Sequence, residues 1–455
     1  MLEYINENII SLLTPWLLFA AGIFFAFKLK FFFLRHPVRM LRAMTERKKS
    51  GGTSPFRAVM LALAGTLGVG NIAGVASSIA IGGYGSVFWM WVSALVAMVL
   101  KYAEIVLAIR HRRYDCSTGE YRGGAAYYIK DHFSSRGLRT FGCVLAILFS
   151  LLCVINSVTM GCVIQSNAIS TSLEGVLNIP TWVTGAIVAS LVGFAILGNG
   201  QRIGALSEKI VPLVTLLYIL ISVAAMAVAR DRIDDAFALI FRDAFHADSA
   251  VGGIFGFLLS RGLKAGTMRG LMSNEAGCGT APTAHAAADT DSAARQGLWG
   301  LFEVFVDTIL LCTLTAIVII LAGDGVLAHA ADPMMMAIAA FSSLLGEWAQ
   351  YFMCASVFLF AFATLICWAH YGRESLTFIS RKKPLQIGFV LLFTAFTFIG
   401  AVTLPEISWL AADLALGVMT IINIIMLFLM SHEVVEETKK LFRRRGDALD
   451  MSSEE

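Results

Sequence analysis

Apolar runs of roughly 20 residues or more follow one another down the chain, near 9–28, 57–82, 86–109, 141–170, 181–199, 206–229, 250–285, 297–323, 345–379, 385–403 and 406–430. As helix, at about 1.5 Å per residue, each is long enough to cross about 30 Å of hydrocarbon, so the pattern predicts eleven transmembrane helices. Charged residues collect mostly between the runs, and the seventh is interrupted by them.

Two of the runs are built against helix propensity. The second reads LAGTLGVGNIAGVASSIAIGG from Leu63 to Gly83. Counting about ten residues inward from Phe56 brings the chain roughly 15 Å deep, so the Gly68-Val69-Gly70 break is expected at the bilayer midplane. Unwound backbone at that depth is tolerated only where it lines a cavity or binds something, with amides and a half-helix amino terminus for an anion and carbonyls for a cation. Close helix packing through Gly70 and Gly74 is the plain alternative. The string GVGNIA also fits a dinucleotide fingerprint, but no strand precedes it. The seventh run, GGIFGFLLSRGLKAGTMRGLMSNEAGCGTAP, is interrupted in the same manner, and counting from about residue 250 puts its midplane near Arg261 to Gly266. Two Gly-interrupted helices in corresponding places of two halves point to an inverted-repeat transporter with its site where they meet.

Composition agrees: 57% of the 455 residues are apolar and 15% are charged. The basic residues fix an expected orientation, because Lys and Arg are retained on the cytoplasmic side. Lys28 to Lys49 carries eight of them, and alternate loops carry Arg110, Arg112 and Arg113, then Arg202 and Lys209, then Arg373 and Arg381 to Lys383, whereas GDGVLAHAADP and VTLPEIS carry none. The start is therefore expected outside and the tail in the cytoplasm. The first run has Glu3 and Glu7 before it and bases after it, unlike a secretory signal. Most of the eight cysteines sit singly in apolar runs and read as packing residues, and HEVVE at His432 departs from a zincin motif at Glu436. No convergent nucleophile, base or metal set is present, so an enzyme is not expected.

The stretches GVGNIAGVASSIAIGGYGSVFWMWVSALVAMVLKYAE, YRGGAAYYI, RGLMSNEAGCGTAPTAHAAA, GLFEVFVDT and FAFATLICWAHYG resemble, in order, the alanine/glycine:cation symporters, also called the sodium:alanine symporter family. The resemblance implies a LeuT-type all-α membrane fold of five plus five inverted helices behind one extra helix: 1–55 for that helix and a basic segment, 56–230 and 231–430 for the repeats, and 431–455 for a charged tail. It implies import of a small neutral amino acid with Na⁺. Carried over by position, the substrate site comprises Val69, Gly70, Asn71, Gln165, Ala265, Gly266, Thr364 and Trp368, and the cation site Ala64, Leu67, Ala363 and Thr364. The chain has Val69 where relatives often carry threonine, Ala363 where serine is common, and Ala265 where an aromatic residue often stands. The last exchange implies a pocket for a side chain larger than alanine's.

Ionisable residues inside the runs are costly and default to function or to paired structure. Lys101 and Glu104 share one face of the third helix, and Glu303 and Asp307 one face of the eighth. A contact from Lys101 to Glu303 or Asp307 across the bundle is expected, as a structural clamp, a proton or cation relay, or a gate. By the same depth count, Asn274 and Glu275 of the SNEAG stretch fall at the inner boundary and read as gate or packing residues. The expected protein is a secondary symporter of a bacterial inner membrane, coupled to Na⁺ or alternatively to H⁺, with no organic cofactor, nucleic-acid partner or obligatory protein partner. A non-transporting amino-acid sensor is the remaining alternative.

Overall fold

The computed structural model describes residues 10–35, 53–197, 200–245 and 261–443, with Asn6, Pro37, Val38, Met40 and Met44 besides. It is helical nearly throughout. In chain order the helices are α1 (Ser11–Lys28), α2 (Pro55–Thr66), α3 (Ala73–Gly82), α4 (Ser86–Arg110), α5 (Ala125–Ser134), α6 (Arg139–Leu177), α7 (Thr181–Ile196), α8 (Gly200–Val228) and α9 (Ile233–Ala244). After residues outside the described set come α10 (Arg261–Asn274), α11 (Pro282–Ala286), α12 (Ala293–Ala322), α13 (Pro333–Leu345), α14 (Trp348–Ile379), α15 (Lys383–Val402), α16 (Glu406–Leu429) and α17 (Ser431–Arg443). A two-stranded hairpin, β1 (Arg113–Asp115) against β2 (Glu120–Arg122), links α4 to α5.

Local chemistry sets several starts. Ser54 caps α2 by accepting from the Arg57 amide, and Pro55 opens the helix. Asp332 accepts from the amides of Met334 and Met335 ahead of Pro333, which starts α13. Ser292 does the same for α12.

Among the described residues, seven helices are long and apolar enough to cross a membrane, and α1, α2, α3, α7 and α13 are shorter apolar helices. The chain is a multi-pass membrane protein. Helices α4, α12 and α14 form its buried interior, while α7, α8 and α15 turn apolar side chains outward, such as Trp182 (62% exposed), Phe194 (66%) and Leu391 (66%). Helix α1 packs across α4 and α16.

Two expectations need correction. Residues 324–344, between two predicted runs, were expected as a loop, yet α13 starts there at Pro333. The second break also lies elsewhere: α10 runs unbroken through Ala265 and Gly266, and the helix unwinds only at Glu275, where Gly277 (φ 83°) and Gly279 (φ 77°) adopt conformations that side-chain-bearing residues avoid. Gly266 serves close packing instead, since a Cβ there would meet the Ser86 carbonyl oxygen at 2.1 Å. Gly252, Gly253 and Gly256 of the same run lie outside the described residues.

Candidate functional site

The first break falls where sequence reading put it. Helix α2 ends at Thr66, a single 3₁₀ turn occupies Val69–Asn71, and α3 resumes at Ala73. Gly68 is held there by its surroundings: a Cβ would lie 2.7 Å from Thr364 Oγ1 and 3.0 Å from Gln165 Oε1. The Val69 amide donates not to a helix carbonyl but to Gln165 Oε1 (3.3 Å).

Asn71 ties this break to the second one. Its Nδ2 donates to Ser273 Oγ (3.1 Å) and to Asp307 Oδ1 (2.8 Å), while its Oδ1 accepts from the Gly68 amide (3.2 Å). Ser273 and Thr308 donate to the other carboxylate oxygen of Asp307, at 2.8 and 2.7 Å. Asp307 thus has both oxygens satisfied, as a fully buried carboxylate requires. Asn71 is spent on this junction and does not line the cavity described below.

The SNEAG stretch lies directly against the first break, with Ser273 bonded to Asn71 and Glu275 in the wall of the cavity described below. Asn274 donates to Thr308 Oγ1 (3.2 Å) and accepts from the Ala276 amide (3.0 Å), bridging the first turn of the break. Thr280 donates to Glu275 Oε2 (2.7 Å). The Gly279 amide donates to Glu104 Oε1 (2.9 Å), and Asn423 of α16 donates to the same carboxylate and to the Gly277 carbonyl (2.9 Å). Tyr128 of α5 donates in turn to Asn423. Four elements brace one unwound turn.

Beside the two breaks lies a cavity of about 270 Å³. Val69, Gly70, Gln165, Glu275 and Trp368 face it, with Arg269, Asp332 and Trp409 also in its wall. Met160 and Ile164 reach it from a π-helical turn at Thr159–Ile164 that interrupts α6, and a second such turn, Phe305–Cys312, holds Asp307 in α12. Such turns occur often at functional sites. Trp368 is seated by Gly161, where a Cβ would meet Trp368 Cβ at 2.2 Å. Ala265 and Gly266 are not in this wall, so the exchange at Ala265 does not enlarge it.

On the far side of the first break, Thr364 Oγ1 lies 2.9 Å from the Ala64 carbonyl oxygen, 3.3 Å from that of Leu67 and 3.0 Å from that of Phe360. This cluster is buried, uncharged and all oxygen, a donor set suited to a hard cation. Ala363 is buried beside it and brings no side-chain oxygen.

The expected contact across the bundle is formed. Lys101 Nζ of α4 stands 3.2 Å from Glu303 Oε1 of α12, both side chains fully buried, in contact but out of hydrogen-bond alignment. Glu303 Oε2 lies 2.9 Å from His285 Nε2, and Gln296 Nε2 lies 2.9 Å from His285 Nδ1. His285 is thus part of a buried polar chain. Ser273, Asn423, Arg269 and Met160 are site residues that sequence reading did not single out. A lone asparagine in the apolar run 406–430 was the visible signal for Asn423.

Comparison with known proteins agrees with this geometry. The chain is 34% identical over 429 residues to a sodium/alanine symporter of Methanococcus maripaludis, covering 93% of this chain and 92% of that one. It is 34% identical over 450 residues to a probable sodium/glutamine symporter of Bacillus subtilis, covering 98% and 91%. Among solved structures it is similar to MhsT in complex with L-phenylalanine (TM-score 0.58, 12% identity, 86% of this chain and 93% of that one). It is also similar to a manganese transporter of Eremococcus coleocola (TM-score 0.53, 13% identity, 88% and 82%). These two share the LeuT-type fold. Residues 1–454 match the sodium:alanine symporter family, and with relatives of this identity and coverage the chain belongs to that family of membrane transporters.

Proposed function

We propose that the protein is a Na⁺-coupled symporter that imports a small neutral amino acid by alternating access. The observation that carries this reading is the unwound Gly68–Asn71 turn, with a cavity on one side and the Ala64, Leu67 and Thr364 oxygens on the other. The α-carboxylate would sit at the Val69 and Gly70 backbone beside the amino end of α3, where the helix dipole favours negative charge. Glu275, in the same cavity's wall, is suited to the ammonium group. Na⁺ would bind at the Ala64 and Leu67 carbonyls and Thr364 Oγ1, one turn of backbone from the substrate.

The cavity is small, just under the usual range of about 300–1,000 Å³ for ligand pockets. Relatives named for alanine and for glutamine support substrates between those sizes. Two halves, 56–230 and 231–430, are supported by a repeated order: a broken helix, a helix bearing a buried charge pair, a short helix, then a long helix carrying site residues (α2/α3, α4, α5, α6 and α10/α11, α12, α13, α14). The basic loops support a start outside and a tail in the cytoplasm, and the many apolar helices suit a bacterial inner membrane.

One observation favours H⁺ coupling as the second reading: Glu104, Glu275, Glu303 and Asp307 are all buried, against one ammonium, that of Lys101, and the His285 ring. Binding of labelled alanine, serine and glutamine to the purified protein, in Na⁺ against choline, separates the two. Na⁺ should tighten binding by about tenfold or more, within the usual range of coupling energies, and Thr364→Val should abolish that gain. Equal binding in choline, with a gain only on acidification, would move the coupling to the carboxylates.

A further inference from the structure

A second cavity, of about 190 Å³, opens where α4 and α14 end, well away from the substrate cavity. Its wall holds four cations, Arg113, Arg122, Lys130 and Arg381, against one carboxylate, Asp115, with the Phe378 ring at one side. The hairpin forces two of these charges together, since Arg113 and Arg122 are direct cross-strand partners, an arrangement that is destabilising unless anions intervene.

The carboxylates nearby are already committed. Asp115 Oδ1 accepts from the Ser117 amide (3.0 Å) and hydroxyl (2.6 Å), and Oδ2 faces Arg122 (3.0 Å) and Arg381 (3.3 Å). Asp131 is taken by Arg113 at 2.6 Å and by His111 at 3.3 Å. Glu374 is taken by Arg122 at 3.2 Å. Lys130 has no carboxylate in ion-pair range among the described residues, and its ammonium rests 5.7 Å from the centre of the Phe378 ring. Phe378 packs edge-on against Tyr127 at 5.0 Å, an aromatic pair at the level where the spans end. A polar cavity with surplus guanidinium and ammonium groups fits a tetrahedral phosphate, which arginine forks grip in pairs. Basic pockets between helices on the face that carries the basic loops are headgroup sites.

We propose that this cavity binds a phosphate group, held by Lys130, Arg113 and Arg381, and that its source is the headgroup of an anionic phospholipid. The full-length protein in detergent is tested by native mass spectrometry with phosphatidylglycerol and with phosphatidylcholine, and by thermal unfolding with inorganic phosphate against chloride at equal ionic strength. Phosphatidylglycerol should be retained in preference to phosphatidylcholine. Its affinity should fall about fivefold in Lys130→Ala, which breaks no ion pair, and about thirtyfold in Lys130→Ala/Arg381→Ala. Lys382→Ala/Lys383→Ala, which removes two bases outside the cavity wall, should retain it. If phosphate alone raises the unfolding midpoint in the wild type and not in the double variant, and phosphatidylglycerol shows no preference, the site stands with soluble phosphate as its source. Equal binding by wild type and cavity variants, an equal loss in the Lys382/Lys383 control, or no response of the wild type to either probe overturns it.

Discussion

Lys101→Met removes one charge from a pair that no water reaches. At 3.2 Å and an effective dielectric of about 20, the attraction between Lys101 and Glu303 is about 5 kcal/mol, while breaking a buried pair from one side typically costs about 3–5 kcal/mol. The two single variants should differ. After Lys101→Met, Glu303 keeps His285 at 2.9 Å, so the loss should lie near about 3 kcal/mol. After Glu303→Gln, the Lys101 ammonium loses its one ion-pair partner among the described residues, and the loss should lie nearer about 5 kcal/mol. Detergent-driven unfolding of the purified protein measures both, and the Lys101→Met/Glu303→Gln double variant closes the cycle. A clamp requires the double variant to be no worse than the weaker single. Singles that each cost less than about 1 kcal/mol, or strictly additive losses, would refute the clamp. The exchanged pair Lys101→Glu/Glu303→Lys should regain part of the uptake that Lys101→Glu abolishes. No rescue, with stability intact, would favour a relay or a gate.

Other consequences follow from single contacts. Gly161→Ala should push Trp368 toward the cavity and lower uptake severely, with a stability loss of about 1–3 kcal/mol from overpacking, read by transport and unfolding together. Gln165→Leu removes the acceptor that orients the Val69 amide at the break and should weaken substrate binding by about 1 kcal/mol, roughly fivefold, with Na⁺ affinity measured alongside as the control. His111 stands between Asp131 and Glu433 of α17; burial alone would lower its pKa, but the hydrogen bonds to the two carboxylates more than offset this and raise it to about 9. A raised histidine stabilises most below its unfolded pKa, near 6.5, and loses that contribution as pH climbs through about 9. Protection of the α17 amides, taken relative to their intrinsic exchange rate at each pH, should therefore fall between pH 7 and pH 10, and should be low at both in His111→Ala.

Much of the architecture was legible because hydrocarbon leaves the sequence little freedom: 86–109 and 385–403 return as α4 and α15 nearly to the residue. The first break was legible because its depth could be counted from an entry at Phe56, just past the Ser54-Pro55 helix start. The second was misplaced because the count began near residue 250 and put the midplane at Arg261 to Gly266. In α10, Gly266 and Gly270 instead admit α4 at close range, and the true break needs Gly277 and Gly279 at positive φ. The helix α13 was missed because its apolar stretch is too short for a span, although Asp332-Pro333 is a recognisable start signal. Which polar groups meet across the bundle was only partly readable: spacing put Lys101 and Glu303 on faces that could meet, but nothing local in the sequence links Asn71 to Ser273 or Glu104 to Asn423.

The most direct measurement is uptake of a panel of labelled neutral amino acids into proteoliposomes, with inward Na⁺ and inward H⁺ gradients imposed separately. Na⁺-driven symport predicts concentrative uptake of a small neutral amino acid with the Na⁺ gradient alone, lost in Thr364→Val. Uptake driven only by H⁺, or none against a gradient under either condition, would contradict it.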